Sequence, residues 1–209
     1  MPGQGWLGAA ATFMGMWVVM MVAMMLPSLV PMLSIYRRSL RLSGEIHLGI
    51  ATALAGAGYF FVWAVFGALA YSVGTSLVAA ETNWPALEQY VPIAVGVVLL
   101  ISGFIQFTAW KSRELLHCRD APAGGAVSPD GRSAWQHGLR LGVHCSLCCS
   151  GLMMVLLVTG VMSLGVMALV AAAITAERFA PWPERAARVT GALVTFAGVV
   201  VLTRALGGS

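Results

Sequence analysis

The feature that most restricts this chain is a series of apolar runs, each long enough to cross a lipid bilayer as a helix. Crossing takes about 20 residues, and the first half offers three such runs, at about 7–31, 50–78 and 91–110. Residues 141–176 carry no charged side chain and are broken only by His144. That stretch is too long for one helix of ordinary tilt and enough for two short ones, with Gly160, Ser163 and Gly165 marking the turn. A last run covers about 189–206, after Pro181-Trp182-Pro183, whose prolines end one helix and start the next. The expected fold is all-α: a polytopic membrane protein with six transmembrane helices, forming a single domain over residues 1–209 with a cytoplasmic loop at about 114–138. Composition agrees, since 59% of residues are hydrophobic and only 10% charged, far below the roughly 25% charged residues of soluble domains. The mean hydropathy of +0.85 excludes an ordinary soluble protein. The start, Met1-Pro2-Gly3-Gln4-Gly5-Trp6, has no basic segment and no small-residue cleavage site, so the first apolar run is read as a retained helix.

Basic residues orient such a chain, because Lys and Arg accumulate in short cytoplasmic loops. Arg37, Arg38 and Arg41 follow the first span. Lys111, Arg113, Arg119, Arg132 and Arg140 lie between the third and fourth, and Arg178, Arg185 and Arg188 between the fifth and sixth. These 11 of the 12 basic residues fall on one side, with only Arg204 on the other. Both termini are therefore expected outside the cytoplasm. Topology and anionic headgroups account for the basic loops and the net charge of +4, so no nucleic-acid role is assigned to them. Glycines seven residues apart, at 49 and 56, 67 and 74, 96 and 103, and 191 and 198, return to nearly one helix face and would open grooves for neighbouring backbones.

The chemistry concentrates in four cysteines. Cys118, Cys145, Cys148 and Cys149 all fall in or beside the second cytoplasmic stretch, between the third and fourth spans, near His117, His137 and His144. On a helix, Cys145, Cys148 and Cys149 share an arc of about 100°, and the 26 residues separating Cys118 from Cys145 are enough for it to return to that face. A reducing compartment favours thiols or metal-bound thiolates over a structural disulfide. Thiolates at this spacing suit Cu(I) first and Zn(II) second, with a neutral imidazole from His144 or His117 to complete the set. Small cysteines can also simply pack well at a helix end. Methionine adds a second soft donor, with seven of the 12 at positions 14, 16, 20, 21, 24, 25 and 32, and Met153 one turn beyond Cys149. Thioethers bind Cu(I) but hardly Zn(II), although methionine is more often a filler of irregular cores. Gln106 and Glu177 are polar groups at span ends that need partners. Lys111 or Arg178 would pair with Glu177, or its carboxylate would orient a metal-bound histidine.

Several of these residues coincide with a family pattern. Trp17-Val-Val-Met-Met21-Val-Ala-Met-Met25-Leu-Pro27, then Gln106 with Lys111, Cys118 with Arg119, Gly142-Val-His-Cys145-Ser-Leu-Cys148-Cys149, Gly160-Val-Met162 and Glu177-Arg178 follow one another in order. The chain thereby resembles the bacterial predicted metal-binding integral membrane proteins known as domain of unknown function 2182. The resemblance spans nearly the whole chain, with Ser163 and Arg178 standing where that pattern has asparagine and lysine. It implies metal binding and a place in the bacterial cytoplasmic (inner) membrane.

These observations suggest a non-enzymatic membrane protein that binds or transfers a soft metal ion, copper before zinc, through Cys118, Cys145, Cys148, Cys149, His144, His117 and Met153. Besides the lipid bilayer, its expected partners are a metallochaperone or the subunits of a membrane complex. In a graded series, methionines of the first helix would lead through Met153 to the thiolates. Two other readings stand beside it. One is an accessory or assembly subunit of a larger membrane complex. The other is a membrane thiol oxidoreductase, in which Cys145-Ser-Leu-Cys148 exchanges electrons with Cys118 or a quinone. No serine hydrolase constellation, phosphate-cradling glycine loop or paired intramembrane carboxylates occur to support other enzyme classes.

Overall fold

A computed structural model describes residues 5–42, 47–120, 131–160 and 163–207, with the side chains at 85 and 116–120 outside that description. Among the described residues the fold is all-α, with seven α-helices: α1 (Trp6–Leu42), α2 (Leu48–Asn83), α3 (Val91–Ile105), α4 (Ala109–Asp120), α5 (Gly131–Thr159), α6 (Leu164–Phe179) and α7 (Pro183–Gly207). A short 3-10 helix, Pro85–Tyr90, precedes α3. Among the described residues five segments are long and apolar enough to cross a membrane: α1, α2, Ala86–Ile105, α5 and α7. The expectation of two short helices within 141–176 meets an uneven division. α5 starts ten residues earlier than that stretch and runs 29 residues, whereas α6 has only 16, a rise of about 24 Å against a hydrocarbon core of about 30 Å. The turn between them falls where glycine and serine predict it, with Gly160 at φ +120°, which its missing Cβ permits, and Ser163 preceding the first turn of α6.

Helix also occupies 114–120 and 131–138 of the stretch read as a cytoplasmic loop, while 121–130 lie outside the described residues. The beginning of α5 is helical because its small residues pack. Ala134, Gly138, Leu141 and Gly142 form one buried stripe at helical spacing.

The chain divides into two compact units, Met1–Ala79 with Asp120–Ser146, and Ala80–Arg119 with Leu147–Ser209. In the first, close approach is set by glycine. A Cβ at Gly138 would overlap the Ala55 carbonyl, one at Gly58 would lie 2.6 Å from the Trp135 carbonyl oxygen, and one at Gly142 would lie 3.0 Å from that of Tyr59. Gly67 makes room for the Trp17 indole, whose Nε1 donates to the Trp63 carbonyl at 2.9 Å. Tyr36, Leu40, Ala51, Ala55 and Ala134 form a small core in this unit. In the second unit, α3 and α7 pack through the glycine pairs read from the sequence. Gly96 and Gly103 face Leu202 and Thr195, while Gly191 and Gly198 face Gln106 and Leu100. The pairs in α2 behave differently, for Gly49 and Gly74 meet open space.

Candidate functional site

α5 carries the thiols on its buried stripe. From Gly138 through Leu141, Gly142, Cys145, Cys148, Cys149, Leu152 and Met153 to Leu156, the buried residues recur every three or four positions, while Val143, Leu147 and Met154 on the opposite face are exposed. Cys145, Cys148 and Cys149 are each 1–2% exposed and present as thiols. Met153, at 1% exposure, continues the stripe one turn on. His144 sits at its half-buried edge.

Each unit supplies its own surroundings for these sulfurs. In the first unit, the close packing of α2 at Gly138 and Gly142 places the Tyr59 hydroxyl 3.0 Å from Cys145 Sγ. In the second, a buried polar network gathers beside Cys148 and Cys149. The turn after α3 is tightened by bonds from Gln106, Phe107 and Thr108 to carbonyls three residues back. Thr108 then caps α4, its Oγ1 accepting from the Lys111 N–H at 3.3 Å. This turn redirects the chain so that Lys111 and Leu115 share the buried face of α4. Lys111 Nζ donates to the Cys148 carbonyl at 2.5 Å and lies 2.8 Å from Glu177 Oε2, while Gln106 Nε2 donates to Glu177 Oε1 at 2.9 Å. On α6, Val170, Ile174, Glu177 and Arg178 are the buried positions, so an apolar stripe ends in a charged pair. Arg178 Nη2 donates to Cys149 Sγ at 3.8 Å.

Four polar side chains are thus at most 6% exposed around two thiols. Taking ions out of water costs several kcal/mol each unless geometry compensates, and here each carboxylate oxygen of Glu177 has a donor. Burial opposes the charge on Lys111, but Cys148, Glu177 and Cys149 around it hold its pKa above the ordinary 10.5. Cationic neighbours stabilise a thiolate, the form of cysteine that binds metal.

A family model described as PpoB2, copper chaperone, matches residues 14–201.

The chain belongs to this copper chaperone family.

No curated protein and no solved structure matches it. The matched stretch contains all four cysteines and the methionine run from Met14 to Met32. Of the two metals expected from the sequence, copper is the one the family implies, and it is the chaperone's cargo. The donor chemistry fits: three thiols and a thioether on one buried stripe are soft ligands, and Lys111 and Arg178 supply positive charge beside them.

The structure brings together only part of the expected set. Cys145, Cys148, Cys149 and Met153 share the stripe, with His144 at its edge. The side chains of His117 and Cys118 lie outside the described residues, although both positions are on α4, the helix that carries Lys111. Among the described residues, no group of three or more His, Cys, Asp and Glu side chains is gathered closely enough to hold a metal ion. Successive side chains splay by about 100° along a helix, so α5 alone does not converge three sulfurs on a point. Sequence reasoning passed over Tyr59, an ordinary aromatic among apolar residues with no motif around it. Of the two partners weighed for Glu177, Lys111 is the one paired with it, and Arg178 turns to Cys149. The signal that could have singled out Lys111 was its being the chain's only lysine, beside an apolar span.

Proposed function

We propose that this chain is a membrane-embedded copper(I) chaperone, which accepts the ion on Cys145, Cys148 and Cys149 of α5 and passes it to a protein partner. The observation that carries this reading is the row of buried thiols on one helix of a copper chaperone family member, flanked by buried cations. With Cys148 and Cys149 as the thiolates of the three, one Cu(I) leaves a net charge of −1. Lys111, Arg178 and Glu177 together contribute one positive charge beside Cys148 and Cys149, which would neutralise that complex in a dry interior. Met153 is the nearest thioether along the stripe, and Cys118, His117 and His144 are the further donors assigned to complete the coordination. Met21, Met24 and Met25 are buried within their own unit. α6 is assigned as the sixth span, entering with the charged network at one end, and both termini are assigned to the extracytoplasmic side of a bacterial inner membrane. A metallochaperone or the subunits of a copper-requiring membrane complex would be the exchange partners.

The test is elemental analysis of protein purified after copper supplementation. About one copper per chain is expected in the wild type, with loss of that copper in the Cys145→Ser, Cys148→Ser double variant. Equal copper in both proteins would overturn the assignment to α5. A wild type without copper that co-purifies with one stoichiometric partner would favour the accessory-subunit reading instead.

A further inference from the structure

In the first unit, the last turns of α1 line an open pocket of about 490 Å³ with Ser34, Arg37, Arg38, Arg41 and Leu42. We infer that this pocket is a binding site for the phosphate headgroup of an anionic phospholipid, independent of the copper reading. Helical spacing places Ser34, Arg37, Arg38 and Arg41 within an arc of about 100°, so the three guanidinium groups line one concavity. The other side of the same turns is fixed, because Tyr36 and Leu40 belong to the core with Ala51, Ala55 and Ala134. Among the described residues none of the three guanidinium groups is joined to a carboxylate. A single basic residue in the last turn would be accounted for by the helix dipole. Three forked donors around a cavity of ligand size match the geometry of phosphate recognition, while the Ser34 hydroxyl at its wall is turned to the Pro31 carbonyl at 2.6 Å.

The choice of a lipid over a free phosphate rests on position. α1 has 37 residues, about 55 Å of helix against about 30 Å of hydrocarbon, so the turns after its apolar window reach the headgroup layer. Val30, Ile35 and Leu42 are exposed on these turns, offering apolar surface to acyl chains that a free ion would not use.

The experiment uses the full chain, purified in a zwitterionic detergent and titrated with phosphatidylglycerol, phosphatidylcholine and inorganic phosphate under native mass spectrometry. Phosphatidylglycerol is expected to be retained selectively. Retention should fall by about fivefold for each arginine neutralised, to about a hundredth in Arg37→Gln, Arg38→Gln, Arg41→Gln. The corresponding triple lysine variant should keep most of the binding, and Arg185→Gln with Arg188→Gln should keep all of it. Phosphatidylcholine bound equally well, or the Arg185 and Arg188 variant losing as much as the triple glutamine variant, would overturn the site in favour of general surface attraction. Inorganic phosphate displacing the lipid at similar concentration would overturn the lipid assignment. Equal losses in the lysine and glutamine variants would overturn the charge argument.

Discussion

At the scale of single residues, the buried ion pair of Lys111 and Glu177 is costly to form. Both side chains are withdrawn from water, and each also bonds a third group, the Cys148 carbonyl or the Gln106 amide. Removing one ion from such a pair leaves the other buried and uncompensated, at a cost of about 3–5 kcal/mol. Lys111→Met should therefore destabilise the protein by about that amount in detergent unfolding. Lys111→Met combined with Glu177→Leu should recover most of the loss, because no buried charge remains. A double variant as unstable as the sum of the two single ones would show that the residues act separately. Recovery in the double variant would show that packing alone does not require the charges, leaving the neighbouring thiols as what they serve.

At the scale of the helices, close approach is what positions the sulfurs. Tyr59 reaches Cys145 because α2 and α5 meet at Gly58, Gly138 and Gly142, where a side chain would strike backbone. Gly138→Val is expected to cost about 1–3 kcal/mol or more through overpacking and to part the Tyr59 hydroxyl from Cys145. Gly74→Ala makes the contrast within α2. It meets open space, so the helix should gain up to about 1 kcal/mol from the better helix former. Thermal unfolding of the two variants side by side measures both effects. If Gly138→Val is as well tolerated as Gly74→Ala, the packing of these helices does not depend on glycine.

At the scale of the whole molecule, the bias of basic residues remains the argument for orientation. Neutral or acidic connections alternate with basic ones along the chain. A periplasm-dependent reporter fused after Ser209 should be active, and the same reporter inserted within 121–130 should be silent. The opposite pattern would place the cysteine end of α5 outside the cytoplasm and favour thiol exchange over copper handling. α6 is the element on which this topology depends, since its 16 residues span only by thinning the bilayer locally or by drawing on the flanking turn.

The sequence by itself determined the all-α membrane class, the turn at Gly160, the glycine pairs of α3 and α7 though not that they meet each other, and the common face of Cys145, Cys148 and Cys149. Each of these is a matter of local period or of transfer from water to hydrocarbon, and both can be read from neighbours along the chain. The tertiary structure decided that α5 extends back to Gly131, that Lys111 rather than Arg178 meets Glu177, that Arg178 turns to Cys149, and that Tyr59 meets Cys145. These pairings join residues 29 to 86 positions apart. They depend on which helix faces are pressed together, and a periodic pattern of apolar residues is almost the same on every side of a membrane helix. Where α2 is hydrophobic all round, only glycines and buried polar groups distinguish one face from another, and their partners become visible once the helices are packed.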